Sequence, residues 1–358
     1  MTYSDSKLPI SVLIPAKNEE ANLPKCLASV APADEIFVVD SQSSDRSVEI
    51  AEGYGAKVVQ FYFNDQPKEN KQKKKNWSLD NLPFRHEWVL IVDCDERITP
   101  ALWDEIAIAI QNPDFDGYFI NRRVYFLGKW IRHGGKYPDW NLRLFKYKKG
   151  HYETLDTEAI PNTGDNEVHE HVIARNNIAK EDWRIGYLKH DMDHIDFKNI
   201  YHWLDRHNRY SNWEAYVYHG MLEESFLELL TSQIGYCQEW WQRRGKSPED
   251  TSLVQSRDNL KDGTKKLHAN LFGTPVERKR FLRKLWVRVP SKPMLRFIIF
   301  YFIRLGFLDG KAGYIYGRLL SQYEYNIEVK LYELMEFGGN LNLEKQPETA
   351  QKKLERVS

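Results

Sequence analysis

The apolar run Trp88–Asp93 (WVLIVD) ends in Asp93-Cys94-Asp95-Glu96. In an extended chain, residues i and i+2 point the same way, so Asp93 and Asp95 share a side. Paired carboxylates repel unless a proton or a cation lies between them. Hard oxygen ligands suit Mg²⁺ or Mn²⁺, which keep waters and take up phosphate oxygens. A second reading uses the same residues: Asp95, Glu96 and Thr99 precede a helix and suit its positive end. A lone D-x-D is a weak signal. Its position after a fourth strand makes it more specific.

Three other polar segments close apolar runs. Pro15-Ala16-Lys17-Asn18-Glu19-Glu20 follows the first run; Asn18 could cap a helix there, with the two glutamates in its first turn. Asp40-Ser41-Gln42-Ser43-Ser44-Asp45 follows the second. Asp40 could accept hydrogen bonds from ribose hydroxyls or a base N–H, and Asp45 could cap the next helix. Lys71–Asn76 (KQKKKN) is either a solvated basic face or a clamp for a diphosphate. Neither G-x-G-x-x-G nor G-x-x-x-x-G-K-[ST] occurs, which argues against a dinucleotide fold and a P-loop. What remains is a nucleotide-diphosphate site built from aspartates and a metal.

The elements that must hold these residues alternate. Strands are expected at 10–15, 35–40, 56–61 and 88–93, and helices at 18–30, 45–52, 68–81 and 100–110. Such alternation implies a mostly parallel sheet with helices on both faces, an α/β fold with ligands beyond the C-terminal strand ends. After about residue 115 the pattern changes to strands at 118–126, 141–147, 167–174 and 183–188. From Lys198 onward the chain reads as helix almost throughout. The expected organisation is a catalytic domain over 1–195, a helical region over 196–340 and a polar tail over 341–358.

Lys plus Arg and Asp plus Glu are both 51, so a globally basic coat for nucleic acid is excluded. Hydrophobic residues at 42% and charged residues at 28% are those of a folded chain. The 3 cysteines are far apart, which fits a reducing compartment and no disulfide framework. No signal peptide is read at the N-terminus. The most apolar stretch, Phe297–Ile303 (FIIFYFI), is too short to cross a bilayer core of about 30 Å. It follows the basic segment 277–296, a composition that fits either an anionic membrane surface or a helix packed on the catalytic domain.

Taken in order, SVLIPAKNEE, FVVDSQSSDRSVEIA, KKKNWSLDNL and WVLIVDCDERITP resemble the GT-A glycosyltransferases of family 2, in particular the lipopolysaccharide-core and polysaccharide glucosyltransferase branch. The likeness continues through WNLRLFKYKKGHY, EVHEHV, HIDFKNIYHWLDRHNRYSNWEA and RFIIFYFIRLGFLDGKAGYIYG, and covers roughly residues 8–335. It implies that Pro15, Lys17, Asn18 and Glu19 line the base and ribose pocket and that Asp40 contacts base or ribose. Lys75 and Asn76 match a basic patch facing the nucleotide. Asp93 and Asp95 would hold Mn²⁺ or Mg²⁺ on the donor diphosphate, with Asp93 also at the nucleotide. His194 matches a further metal-ligating or donor-contacting position, with His190 as its competitor. Glu170, in Val168-His169-Glu170, matches the general base. Gln42 and Ser44 depart from the family, which more often has Gly and Thr there.

The chemistry implied is inversion at the anomeric carbon by one in-line displacement, with a carboxylate taking the acceptor proton. Asp139 and Glu167 are alternative bases, and Glu170 could instead only pair with an arginine such as Arg175. The Gly134-Gly135 loop could approach the donor sugar closely, and Trp130, Tyr137 and Trp140 could stack on sugars or pack in the core. The donor implied is a UDP-sugar and the acceptor a saccharide or a lipid-linked one. The expected location is cytoplasmic, peripheral on the inner membrane face, and the helices could form a homodimer. The rival readings are a sugar nucleotidyltransferase, a degenerate sugar-binding subunit and an enzyme with a peptide acceptor.

Overall fold

A computed structural model describes residues 7–63, 72–153, 171–175, 178, 182–195, 199–223, 225–243, 269–273 and 275–337. The chain divides into two compact units. The first comprises 1–158, 162–198 and 300–314; the second comprises 159–161, 199–299 and 315–358.

The first unit is built on β1 (Leu8–Ala16), β2 (Ala33–Asp40), β3 (Lys57–Gln60), β4 (Trp88–Ile91), β5 (Glu96–Ile98), β6 (Gly117–Phe126), β7 (Lys129–Trp130), β8 (Trp140–Lys146) and β11 (Ile185–His194). The sheet order is β3-β2-β1-β4-β8-β6-β11-β5, with β7 paired to β6. β3, β2, β1 and β4 are mutually parallel, β8 is antiparallel to both neighbours, and β11 is parallel to β6. β9 (Gly150–Tyr152) and β10 (Val172–Ala174) form a separate antiparallel pair.

Side-chain alternation explains the layering. Ile10, Val12 and Ile14 of β1 face one way with Leu90 and Val92, and pack with Leu23, Leu27, Leu102 and Ile106. Leu13, Val39, Val89 and Ile91 face the other way and pack with Leu79, Phe61 and Phe84. Both faces of the parallel part are thus covered, which is why its strands read as continuous apolar runs. The covering helices are α1 (Leu23–Ser29), α2 (Ser47–Gly53), α3 (Lys74–Asn81) and α4 (Pro100–Ala109). α4 starts as the sequence indicates: Thr99 accepts a hydrogen bond from the Leu102 N–H, and proline occupies the first turn.

α1 begins later than the spacing predicts. Asn18 has φ 55°, outside the helical region, and Asn22 takes the N-cap position. The capping role read for Asn18 is therefore replaced by a loop role. β5 is an element that sequence reasoning did not find. It pairs antiparallel with β11, in the register Met192–Ile98, Asp193–Arg97 and His194–Glu96. β11 likewise runs on through His194, well past the expected end at residue 188.

The second unit is helical, with α5 (Ile200–Glu223), α6 (Phe226–Arg243), α7 (Pro275–Val287), α8 (Lys292–Ile298) and the greater part of α9 (Gly310–Phe337). Ala215, Tyr218, Val287, Ile327 and Leu331 form one of its cores. Residues 300–314 pack with the first unit. Among the described residues, no helix is long and apolar enough to cross a membrane.

Candidate active site

The strand ends gather the expected acids, but they do so through two arginines. Arg143 of β8 reaches Asp93 Oδ2 at 2.5 Å and Glu96 Oε1 at 2.7 Å. Lys75 Nζ lies 3.2 Å from the other oxygen of Asp93. Arg122 of β6 contacts Glu96 at 3.3 Å and Asp139 at 2.7 Å. Glu96 is completely buried and also accepts the Asp93 backbone N–H at 2.9 Å. Burial alone would raise the pKa of Asp93; Arg143 and Lys75 outweigh it and hold the carboxyl well below its ordinary range. Arg143 is shifted up, its own burial being outweighed by Asp93 and Glu96. Asp93 nonetheless keeps 31% of its side chain exposed, so this fixed charge has an open side.

Arg143 and Arg122 had no assigned role in the sequence reading. The signal was present: Arg143 interrupts the apolar strand WNLRLFK, and a charge in the middle of a buried strand needs a partner.

Asp95 belongs to a different pair. Its Oδ2 lies 3.4 Å from His194 Nε2, and the β5–β11 register sets His194 directly across from Glu96. Burial would lower the pKa of His194, but Asp95 raises it on balance. His190 is turned elsewhere, with Nδ1 2.9 Å from Glu105. Of the two histidines, His194 is the one beside the acids.

No group of three or more His, Cys, Asp or Glu side chains among the described residues could by itself hold an ion. Asp95 and His194 supply one oxygen and one nitrogen, while the Asp93 carboxylate is engaged by Arg143 and Lys75. A site with few protein ligands fits a hard cation that takes its remaining ligands from phosphate and water.

The loops after β1 and β2 are stitched together. Asn18 N–H donates to Ser43 Oγ at 2.7 Å, and its Oδ1 accepts the Ser44 N–H at 2.8 Å. Glu19 N–H donates to Ser47 Oγ and Glu20 N–H to Asp45. Asp45 also accepts the Ser47 N–H, but the N-cap position of α2 is Arg46, one residue later than the expected cap. Asp40 is buried and accepts both the N–H and the hydroxyl of Ser43. Gln42 has φ 57°, a left-handed conformation that glycine adopts most readily. Pro15 is half-buried, its carbonyl accepting the Cys94 thiol at 3.3 Å, and Lys17 is exposed. The structure thus brings Pro15, Lys17, Asn18, Glu19 and Asp40 to the adjoining ends of β1 and β2. Asn76 is used differently: both ends of its amide bond the backbone of Tyr152, at 2.9 and 2.8 Å. That makes it a splint between α3 and β9.

Glu170 and Glu167 lie outside the described residues. Asp139 is held by Arg122 through two hydrogen bonds of 3.0 and 2.7 Å. Its burial is outweighed by that guanidinium, which holds the carboxyl low and makes it a poor base. Tyr137 donates to Asp191 and packs edge-on against Trp130, over which Arg132 and Arg123 lie at 4.9 and 5.8 Å. Trp140 is exposed and packs edge-on against Tyr187. The glycine loop has a partner within the chain: a Cβ on Gly134 would overlap the Phe300 ring, and one on Gly135 would overlap Arg304.

The family description "Glycosyl transferase family 2" matches residues 11–164, the span that contains these strand ends. A lipopolysaccharide core biosynthesis glycosyltransferase, LpsC, of Rhizobium meliloti is 27% identical over 58% of this chain and 71% of that one. An uncharacterised glycosyltransferase of Rickettsia bellii is 36% identical over 30% of this chain, and the match spans 35% of its own length. Among solved structures, glucosyl-3-phosphoglycerate synthase from Mycobacterium tuberculosis, in complex with Mn²⁺, UDP and its product, is 24% identical with a TM-score of 0.27. That match covers 33% of this chain and 44% of the synthase. The sheet is mostly parallel with helices on both faces of its parallel part, and over residues 11–164 the chain is similar to the glycosyl transferase family 2 model.

Proposed function

We propose that this protein is an inverting hexosyltransferase that moves a sugar from a UDP-sugar onto a saccharide or lipid-linked acceptor, in the synthesis of cell-surface polysaccharide or lipopolysaccharide. The observation that carries the reading is the pairing, at one sheet edge, of an open acidic group fixed by cations with a second acid beside a histidine. Asp93 is bridged to Lys75 and Arg143, and Asp95 sits against His194.

In this reading Pro15, Lys17, Asn18, Glu19 and Asp40 bind the uridine. Lys75 stands by the diphosphate and stabilises the charge that grows on it as the sugar leaves. Mn²⁺ or Mg²⁺, held by Asp95 and His194 with Asp93 beside them, would neutralise the leaving diphosphate. Glu170 removes the acceptor proton while the acceptor oxygen bonds to the anomeric carbon and the bond to the diphosphate breaks. A single displacement of this kind inverts the anomeric configuration. The proposed location is the cytoplasmic side of the membrane, where the chain could act as a homodimer.

The test is a donor panel of UDP-glucose, UDP-galactose, UDP-N-acetylglucosamine and GDP-mannose, each with Mn²⁺, Mg²⁺ or EDTA. Release of UDP from one UDP-sugar, abolished by EDTA, is the expected result. Formation of pyrophosphate from UTP and a sugar 1-phosphate would replace the reading with a nucleotidyltransferase. Absence of turnover with every donor, with and without a lipid extract as acceptor, would favour a non-catalytic subunit.

A further inference from the structure

The stretch Phe297–Ile303 does not continue as a regular amphipathic helix. α8 passes into a π-helical turn over Ile299–Ile303, Leu305 takes φ 59°, and a 3-10 turn follows over Gly306–Asp309. These breaks point side chains of one short segment in opposite directions. Phe300 is buried, filling the space left by the missing side chains of Gly134 and Gly306. Asp309 is buried too and accepts from His133, at its backbone N–H and at ring Nδ1, while the Gly134 N–H donates to the Arg304 carbonyl. The segment is thereby tied to the loop that follows β7.

What it leaves outside is apolar. Phe302 is 56% exposed, Ile303 68% and Leu308 53%, and Leu305 and Phe307 are exposed between them. Leu127, at the β6–β7 turn, is exposed as well. The charged side chains from 298 to 314 other than Asp309 are cations. Arg304 lies within the apolar tip, Lys311 follows it, and the Lys129 ammonium lies near Gly310. Arg304, Lys311 and Lys129 form no ion pair among the described residues, and Asp309, the one acid from 298 to 314, is turned inward. A rigid apolar tip of this kind, with such cations in and beside it, matches a bilayer interface with anionic headgroups: apolar groups enter the acyl boundary while cations stay at headgroup level. It sits on the loops after β6 and β7, the side on which β6 runs alongside His194.

We infer that residues 302–308, with Leu127, form a membrane-docking edge of the catalytic unit that inserts into anionic lipid. The inference concerns where the unit sits, and it holds whichever donor is used. A membrane seated at this edge would present a lipid-linked acceptor on the side of the sheet that carries the acids.

The test is co-sedimentation of the full chain with vesicles of phosphatidylcholine alone or mixed with phosphatidylglycerol, at low and high salt. The chain is expected to sediment with the anionic vesicles and to be partly released by salt. Ile303→Ser combined with Leu308→Ser should lower partitioning about tenfold or more, because both apolar groups lose their place in the interface. Arg304→Gln and Lys311→Gln should each lower it about fivefold on anionic vesicles and little on neutral ones. All these positions are exposed, so melting temperature and donor hydrolysis should not change. Wild-type protein that stays in the supernatant, or variants that sediment like wild type, would overturn the inference. So would light scattering in which Ile303→Ser/Leu308→Ser turns a dimer into a monomer with vesicle binding unaltered; the edge would then cover a second copy. Donor hydrolysis and sedimentation are separate readouts, so failure of one reading leaves the other standing.

Discussion

In the catalytic unit, Arg143 reaches from β8 to two carboxylates, and one of them, Asp93, keeps 31% of its side chain open. In the helical unit, Arg283 reaches from α7 to Glu214 of α5, which is only 8% exposed. Glu324 nearby is buried and accepts from both Tyr218 and Trp286. Both arginines neutralise buried acids, but the exposed partner differs: in the first network it is the carboxylate of Asp93, in the second the guanidinium of Arg283, with Glu214 and Glu324 covered. A network whose acids are all covered can serve the fold alone. One that leaves a fixed carboxylate open to solvent is, under the proposed function, where a charged ligand would bind.

The sharpest way to break the comparison is to remove each arginine. Arg143→Leu removes the nearer of the two guanidinium groups on fully buried Glu96, leaving Arg122 at 3.3 Å, and should lower the melting temperature while abolishing nucleotide binding. Arg283→Leu should also lower the melting temperature yet leave nucleotide affinity unchanged. Calorimetry with nucleotide titration of both variants separates the cases, and equal loss of affinity in both would erase the distinction. Next in size is Lys75→Met. It removes a cation from the open side of Asp93 and should reduce kcat/KM for the donor roughly tenfold to a hundredfold, with a small change in melting temperature. Glu324→Gln weakens the bonds from Tyr218 and Trp286 and should cost about 1 kcal/mol in a urea melt, with donor kinetics intact.

The smallest effect concerns thiols. Cys26 of α1 and Cys94 after β4 are buried, and burial pushes both thiols upward, whereas Cys237 is partly exposed. Titration with a thiol reagent should therefore label Cys237 in the native state, and Cys26 and Cys94 only on unfolding. Rapid labelling of Cys94 would mean that the edge carrying Asp93 and Asp95 opens far more readily than its packing implies.

The parallel strands were legible because a strand buried on both faces is apolar almost throughout, as ISVLIP is apart from Ser11, which bonds Glu35, and WVLIVD apart from its terminal Asp93. The strand-end loops followed from topology. β5 was not legible: its three residues Glu96–Ile98 are polar or apolar by turns and look like the approach to α4. The end of β11 was hidden for a related reason, since LKHDMDH is mostly polar and becomes a strand only through pairing with β6 and β5. Those two elements bring His194 to Asp95 while His190 turns to Glu105, a proximity that only tertiary structure could give. Asn76 shows the opposite limit. Its position in a basic motif pointed to a ligand, but its amide is spent on the backbone of Tyr152. The motif at Gly134-Gly135 was visible, while the side chains it admits, Phe300 and Arg304, lie far along the chain.

We propose that the open acidic edge binds a nucleoside diphosphate through a divalent cation held at Asp95 and His194. The most direct measurement is the melting temperature of wild type, Asp95→Ala and His194→Ala with UDP, with and without Mn²⁺. GDP, CDP and dTDP serve as controls. A ligand that binds the native state raises the midpoint by mass action. The account predicts a rise with UDP in wild type that requires Mn²⁺ and is lost in both variants. A rise with UDP that is as large in EDTA and persists in Asp95→Ala would contradict it.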